Sequence, residues 1–254
     1  MEIKNQSVIV TGAASGMGAA TAHYLAEQGA KVALFDRDYS NAKKVADEIH
    51  GIAIECDVTD PSSVEQAIAK SKEAQGPARI CINCAGIVFG KRMVGKQGAM
   101  PLEEFNKVIQ VNLIGTFNVM RLAAAHMIPL EPMGENGERG IIINTASIAA
   151  YEGQIGQTAY SASKGGIVSM TLPAARELAQ FGIRVNTIAP GLIATPMLLN
   201  MPEEVQTSLV NSTVYPKRLG QPKEFAMLAA HIIQNTLING EVIRLDGAVR
   251  LGVS

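Results

Sequence analysis

Tyr160 and Lys164 lie four residues apart, so on a helix their side chains stand one above the other. Alone, Tyr-x-x-x-Lys is a common solvated surface pair. Here the pair follows an apolar run that ends in Asn144-Thr145-Ala146-Ser147. A hydroxyl, a phenol and an ammonium can then converge on one substrate oxygen. That set suits the reduction of a carbonyl, in which negative charge builds on oxygen as hydride reaches carbon. Tyr160 can give that oxygen a proton, or take one in the reverse direction. A free phenol titrates near pH ~10, too high for an efficient base at neutrality. A nearby cation, Lys164, favours the phenolate, and lowering its pKa by ~3 units needs ~4 kcal/mol of differential stabilisation. Ser147 would hold the substrate oxygen and donate to the developing alkoxide. Asn112 is an amide inside an apolar stretch and needs partners. It serves either as a structural hydrogen-bonding group or as a break in its helix that holds a water between Lys164 and solvent.

Near the amino terminus, Thr11-Gly12-Ala13-Ala14-Ser15-Gly16-Met17-Gly18 follows a strand and opens a helix. Glycines let the backbone turn tightly and approach a pyrophosphate, and the helix start offers free N–H groups and a positive dipole end. Asp36 follows Gly18 by eighteen residues, close to the roughly twenty expected of a carboxylate that accepts from ribose hydroxyls. It would repel a 2′-phosphate, so the expected cofactor is NAD; the plainer alternative is a turn or capping aspartate. Arg37 follows it and could pair with such a phosphate. Asp57, with Val58 after it, could bond an adenine amino group or cap the next helix. Asp60 already suits the capping role.

These residues are positioned by short apolar runs that alternate with longer amphipathic stretches. Strands are expected at Ser7–Thr11, Lys31–Phe35, Ile52–Cys56, Arg79–Asn83, Gly140–Thr145, Ile183–Ala189 and Glu241–Leu245. Helices are expected at Gly16–Gln28, Ser40–His50, Asp60–Ala74, Leu102–Met127 with a break near Asn112–Gly115, Thr158–Gln180 and Gln221–Gln234. The alternation implies an α/β fold, one Rossmann-like, doubly wound parallel sheet of seven strands with helices on both faces, in a single domain over residues 1–254. In such a sheet the strand-to-helix loops share the carboxyl edge, where ligands bind. Gly12–Gly18, Asp36, Asp57, Asn83–Gly86, Ser147 and Pro190–Thr195 would gather there, and Pro129–Gly140 would lie at the opposite edge. Pro173 falls inside the catalytic helix and should cost ~3 kcal/mol or distort it near Ser169.

A formal net charge of −1 gives no electrostatic footprint for nucleic acid or an acidic membrane surface. No secretory signal pattern and no run of about 18 apolar residues is evident, so no membrane span is expected. Three cysteines cannot frame a disulfide scaffold, which points to a cytoplasmic protein. Cys81 and Cys84 form C-x-x-C on a strand, where positions i and i+3 face opposite ways. They read as small buried hydrophobes, not as a redox pair, and no metal site is expected.

Together these pieces resemble the short-chain dehydrogenase/reductase family. Thr11–Gly18, Asp57, Asn83-Cys84-Ala85-Gly86, Asn112, Ser147, Tyr160, Lys164 and Pro190-Gly191 with Thr195 occur in the family's order across nearly the whole chain. The resemblance implies a Ser-Tyr-Lys mechanism with a supporting Asn, and assembly as a homotetramer. Cys84 stands where the family commonly has a second asparagine. A closer resemblance, carried by Asn83–Ile87, Gly115–Val119, Gly140–Ser147, Tyr160–Pro173 and Asn239–Gly247, is to the short-chain 3-hydroxyacyl-CoA dehydrogenases, also called type 10 17β-hydroxysteroid dehydrogenases. It implies that Ser15, Met17, Asp36, Asp57, Val58, Cys84, Tyr160, Lys164, Ile193 and Thr195 meet NAD, and that Ser147 and Gln154 face substrate.

Two further segments bear on the substrate. Gly90–Pro101 is longer than a plain crossover needs and carries Lys91, Arg92 and Lys96, which could pair with coenzyme A phosphates. Ala194–Val214 is a plausible lid, with Met197, Leu198, Leu199, Met201 and Leu209 available to cover an acyl chain. A short 3-hydroxyacyl-CoA or 3-oxoacyl-CoA substrate is expected. A 3-oxoacyl-carrier-protein reductase, a steroid or polyol dehydrogenase, and a cofactor-sensing regulator on the same fold remain the alternatives. A basic residue in the glycine loop or at position 36 would favour the reductase; the loop has Ser15 and position 36 is Asp36.

Overall fold

The computed structural model describes residues 1–253, with every side chain except that of Met197. The amino-terminal half runs β1 (Ser7–Thr11), α1 (Gly16–Glu27), β2 (Lys31–Asp36), α2 (Tyr39–Glu48), β3 (Ile52–Glu55), α3 (Pro61–Gln75) and β4 (Ala78–Asn83). A small antiparallel hairpin of β5 (Val94–Gly95) and β6 (Gly98–Ala99) leads into α4 (Leu102–Ile109). A π-helical turn at Gln110–Ile114 joins α4 to α5 (Gly115–Met127). Then follow β7 (Gly140–Thr145), α6 (Thr158–Ala179), β8 (Ile183–Pro190), α7 (Pro196–Leu199), α8 (Glu203–Ser212), α9 (Pro222–Gln234) and β9 (Val242–Leu245).

Seven strands form one sheet in the order β3-β2-β1-β4-β7-β8-β9, every pair parallel. The chain reverses its direction of travel across the sheet between β1 and β4, so the loops after those strands open a crevice there. Alternation along the strands explains the two cores. Val8, Val10, Leu34, Ile82 and Ile143 point to one face and pack with Leu25 of α1 and Phe225 of α9. Ile9, Phe35, Cys81, Ile142 and Val185 point to the other and pack with Val119 and Met120 of α5. Each such buried aliphatic or aromatic side chain contributes roughly 1.5–3 kcal/mol relative to exposure.

Helix starts follow their sequence signals. Asp60 caps α3, its carboxylate accepting from Ser62 N at 2.9 Å, with Pro61 in the first turn. The hairpin was not expected from sequence, nor was α8, which carries no buried residue. Pro173 does not end α6, which runs on past it to Ala179. Ser169 and Pro173 both sit on its exposed side, where water can satisfy the carbonyl that a proline nitrogen cannot.

The stretch Leu102–Met127, 26 residues, is long and apolar enough to cross a membrane by length and composition, although polar residues such as Asn112, Asn118 and Arg121 interrupt it, so that it holds no continuous apolar run of the kind the sequence reading sought. Half of its apolar window is buried within the fold, as befits a core element. Cys81 and Cys84 face opposite cores and are unbonded, as their strand position implies. Burial pushes their thiols up, to about 12 for Cys81 and about 11 for Cys84. Among the described residues no acidic, histidine and cysteine side chains cluster as a metal site would need.

Candidate active site

A cleft of about 390 Å³ opens at the carboxyl ends of the strands. Its lining includes Gly12, Ser15, Gly16, Met17, Gly18, Asp36, Asp57, Val58, Cys84, Ala85 and Gly86 from the first four strand ends. Ser147, Tyr160, Lys164, Pro190, Gly191, Ile193 and Thr195 complete it from the later ones. Sequence reasoning did not single out Ile87, Val88 and Val111, which also line it. Apolar residues after a strand carry no signal that separates a cleft wall from a core.

The glycine turn fits a dinucleotide. Gly12 sits at φ +64, and a side chain there would press within 2.7 Å of the Ala85 backbone. One at Gly18 would strike the Gly12 carbonyl. Helix α1 starts at Gly16 without a side-chain cap from Ser15, so its first N–H groups face the cleft free for an anion. Asp36 accepts from Ala14 N and Asp38 N, each at 2.9 Å. The turn reading of Asp36 thus holds, and the same carboxylate still lines the cleft. Asp57 accepts from Thr59 N and Oγ1, and Arg37 approaches it at 4.0 Å. Burial works against its ionisation, but these partners outweigh burial and hold the carboxyl below its usual range.

The Lys164 ammonium is buried and donates to the Thr145 carbonyl at 2.7 Å. It stands 5.8 Å from the centre of the Tyr160 ring. Desolvation draws its pKa down to about 8. Burial also pushes the Tyr160 phenol up, with Ser147 opposing it. The phenolate-favouring effect expected of Lys164 is therefore not the dominant influence in this structure. The ammonium spends its hydrogen bond on Thr145, and loss of solvent penalises both charges. Ser147, two residues beyond the end of β7, has extended backbone, caps the short turn at Ile148–Ala150 and accepts from Ala149 N at 3.1 Å.

Asn112 is fully buried in the π-helical turn, where the hydrogen-bond ladder widens locally but the helix continues from α4 into α5 without the break expected there. Its Oδ1 accepts from Ile87 N at 2.8 Å, and its Nδ2 donates to Ile87 O at 2.9 Å and Ser163 Oγ at 3.0 Å. Both amide hydrogens are committed to protein, so the side chain ties the loop after β4 to α6 and does not line the cleft. Gly86 lies between this amide and the lysine: a Cβ there would be 3.3 Å from Asn112 Oδ1 and 3.5 Å from Lys164 Nζ.

Two other expected site residues also lie off the cleft wall. Asn83 is buried in the sheet and donates from Nδ2 to Asn144 Oδ1 at 2.9 Å. Gln154 sits half-buried on the rim loop before α6, its backbone N–H donating to Gln157 Oε1 at 3.0 Å. From the expected lid, Leu198 and Met201 line the cleft, while Leu199 is exposed and the side chain of Met197 lies outside the described residues. Of the basic residues before α4, Lys91 is paired with Glu104 at 2.8 Å, and Arg92 and Lys96 are exposed.

The sheet order, the glycine turn and the Ser-Tyr-Lys cluster define an oxidoreductase of the short-chain dehydrogenase family, to which this chain belongs; the family pattern matches residues 6–206. The chain is 49% identical over 253 residues to 3-hydroxyacyl-CoA dehydrogenase type-2 of Bos taurus, covering 98% of this chain and 97% of that one. It is 33% identical over 256 residues to a 3-oxoacyl-(acyl-carrier-protein) reductase of Thermotoga maritima, covering 98% and 99%. The crystal structure of 3-hydroxyacyl-CoA dehydrogenase type-2 from Mycobacterium avium superposes with a TM-score of 0.94 at 43% identity, covering 98% of both chains.

Proposed function

We propose that this chain interconverts short 3-hydroxyacyl-CoA and 3-oxoacyl-CoA with NAD as cofactor. The observation that carries the reading is the meeting of Ser147, Tyr160 and Lys164 with the glycine turn in one cleft. When bound, the nicotinamide supplies or accepts the hydride. Tyr160 exchanges the proton with the substrate oxygen, Ser147 holds that oxygen, and Lys164 sets the charge beside them. Asp36, fixed by two backbone amides at the expected adenosine end, supports NAD over its phosphorylated form. Leu198 and Met201 offer apolar cover for a short acyl chain. The strong likeness to 3-hydroxyacyl-CoA dehydrogenases over the full chain supports the substrate class.

The same reading includes one catalytic domain over residues 1–254, a cytoplasmic setting and a homotetramer. Unbonded cysteines suit the setting. The apolar carboxy-terminal run offers little bare surface for assembly, because Val249 is buried and Val242–Leu245 are half-buried, with Val253 alone strongly exposed among its large apolar residues. Ile114 and Phe117, exposed beside the π-helical turn, are the better surface for a second copy. The test is a panel of NADH and NADPH against acetoacetyl-CoA, an acetoacetyl carrier-protein thioester and a steroid ketone, read at the reduced nicotinamide band. Fastest turnover of acetoacetyl-CoA with NADH is expected. Preference for the carrier-protein thioester with NADPH would replace this reading.

A further inference from the structure

Arg244, on the edge strand β9, reaches the rim loop that precedes α6. Its NH1 and NH2 groups grip the two oxygens of Glu152 at 2.7 and 2.9 Å, a bidentate fork. Its Nε donates to Asp246 Oδ2 at 2.7 Å, and NH2 also donates to the Val249 carbonyl at 3.1 Å. The guanidinium lies 5.1 Å from the centre of the Tyr151 ring.

Each end of this bridge is joined to a segment that carries a cleft residue, Ser147 on one side and Gly191 on the other. Glu152 sits two residues before Gln154, in the loop that joins Ser147 to Tyr160. Asp246 backs onto the opposite wall: a side chain at Gly191 would meet the Asp246 Cα at 2.8 Å, and Gly191 N donates to Leu245 O at 2.9 Å. Arg250 supports the bridge from outside, its Nε 3.5 Å from Glu152 Oε1 and its NH1 donating to Asp246 Oδ2 at 3.1 Å. Backbone bonds to peripheral segments add to it, Ile155 N to Val253 O at 3.0 Å and Lys91 N to Gly156 O at 2.9 Å. An ordinary surface ion pair contributes little, about 0–1 kcal/mol. This one is bidentate, backed by a second carboxylate and stacked on an aromatic ring.

We propose that Arg244 is a positioning residue that locks the rim loop carrying Gln154 to the Pro190–Gly191 turn, and so fixes the substrate side of the cleft relative to the cofactor side. The assignment of those two sides rests on the function proposed above. Three variants test it: Arg244→Met, Glu152→Gln and the double variant. Steady-state kinetics use acetoacetyl-CoA and NADH, and hydrogen exchange follows the amides of residues 151–157.

Arg244→Met should raise the acetoacetyl-CoA KM by about tenfold or more and lower kcat by under about threefold, with NADH affinity within about twofold of wild type. Exchange over 151–157 should quicken while the amides of β1 stay protected. Glu152→Gln should move the same quantities the same way by less, since it keeps one acceptor. The double variant should be at most about twofold worse than Arg244→Met, because the ion pair that Glu152 keeps in Arg244→Met is the 3.5 Å approach of Arg250. Wild-type KM and wild-type exchange over 151–157 in Arg244→Met would overturn the proposal, as would quickened exchange across the whole sheet. If Arg244→Met does not fold, Glu152→Gln decides by the same readouts. If the wild-type enzyme ignores acetoacetyl-CoA, the substrate reading falls, and the exchange comparison alone decides the role of Arg244.

Discussion

The Ala14 amide donates to Asp36 Oδ2 at 2.9 Å, which ties the glycine turn to the end of β2. The carboxylate therefore has two possible duties, anchoring the turn and repelling a 2′-phosphate. Two substitutions separate them. Asp36→Asn keeps an acceptor for Ala14 but removes the charge, and should lower the NADH over NADPH preference in kcat/KM by about tenfold or more. Asp36→Ala should lower it similarly and weaken NADH binding as well. An unchanged preference in Asp36→Asn would show that the charge does not select the cofactor.

Tyr160→Phe removes the proton donor and leaves the ring. Turnover should drop by ~10²–10⁴, the usual range for a general acid–base group, with NADH binding measured by fluorescence titration largely intact. Near-normal turnover would remove Tyr160 from the chemistry.

Lys164 makes stability depend on pH in a defined direction. Its folded pKa of about 8 lies below the ordinary 10.5, so between those values the unfolded chain holds more protons than the folded one. Stability from this group therefore rises with pH across that window, by up to ~3 kcal/mol. Urea unfolding of wild type and Lys164→Met at pH 7.5 and 9.5 should show wild type gaining on the variant at the higher pH. A gap that does not change with pH would mean that Lys164 is not desolvated as its burial implies.

The hairpin cations are not equivalent. Lys91 is paired with Glu104 and so is not available to a phosphate in the way that exposed Arg92 and Lys96 are. Replacing Arg92 and Lys96 together by Ala should raise the KM for acetoacetyl-CoA by about threefold to tenfold, and leave that for its simple ester analogue unchanged. Equal behaviour of the two substrates in both proteins would remove the hairpin as a coenzyme A contact.

Much of this architecture was legible in the residues. Short β-branched runs such as Ile141-Ile142-Ile143, opened by Gly140, read as doubly covered strands, and seven strands alternating with helices leave few topologies. The strand ends then placed Gly12, Asp36, Ser147 and Pro190 on one rim. What stayed hidden depended on direction and burial. Nothing in the order Asn83-Cys84 says which side chain turns to the cleft, and Cys84 does. The pairing of Lys91 with Glu104 and of Arg244 with Glu152 joins segments that only the folded chain brings together. The balance at Lys164 and Tyr160 reversed the simple expectation because desolvation follows from packing, which spacing does not reveal.

The carboxamide pair Asn83–Asn144 also marks the alignment of the sheet. Strand β4 presents Ile80-Cys81-Ile82-Asn83 opposite Ile141-Ile142-Ile143-Asn144 of β7, and Thr11 of β1 stands beside Asn83. The aliphatic rungs are nearly interchangeable, so a slip of two residues would keep apolar groups against apolar groups. The last rung is different: the same slip would set Asn83 against Ile142, or Asn144 against Cys81, and leave the other amide past the end of its partner strand, at roughly 1–3 kcal/mol for each buried group left unpaired. One amide–amide bond thus gives an otherwise repetitive pair of strands a single correct alignment, and with it the level at which Cys84, Thr145 and Ser147 emerge into the cleft.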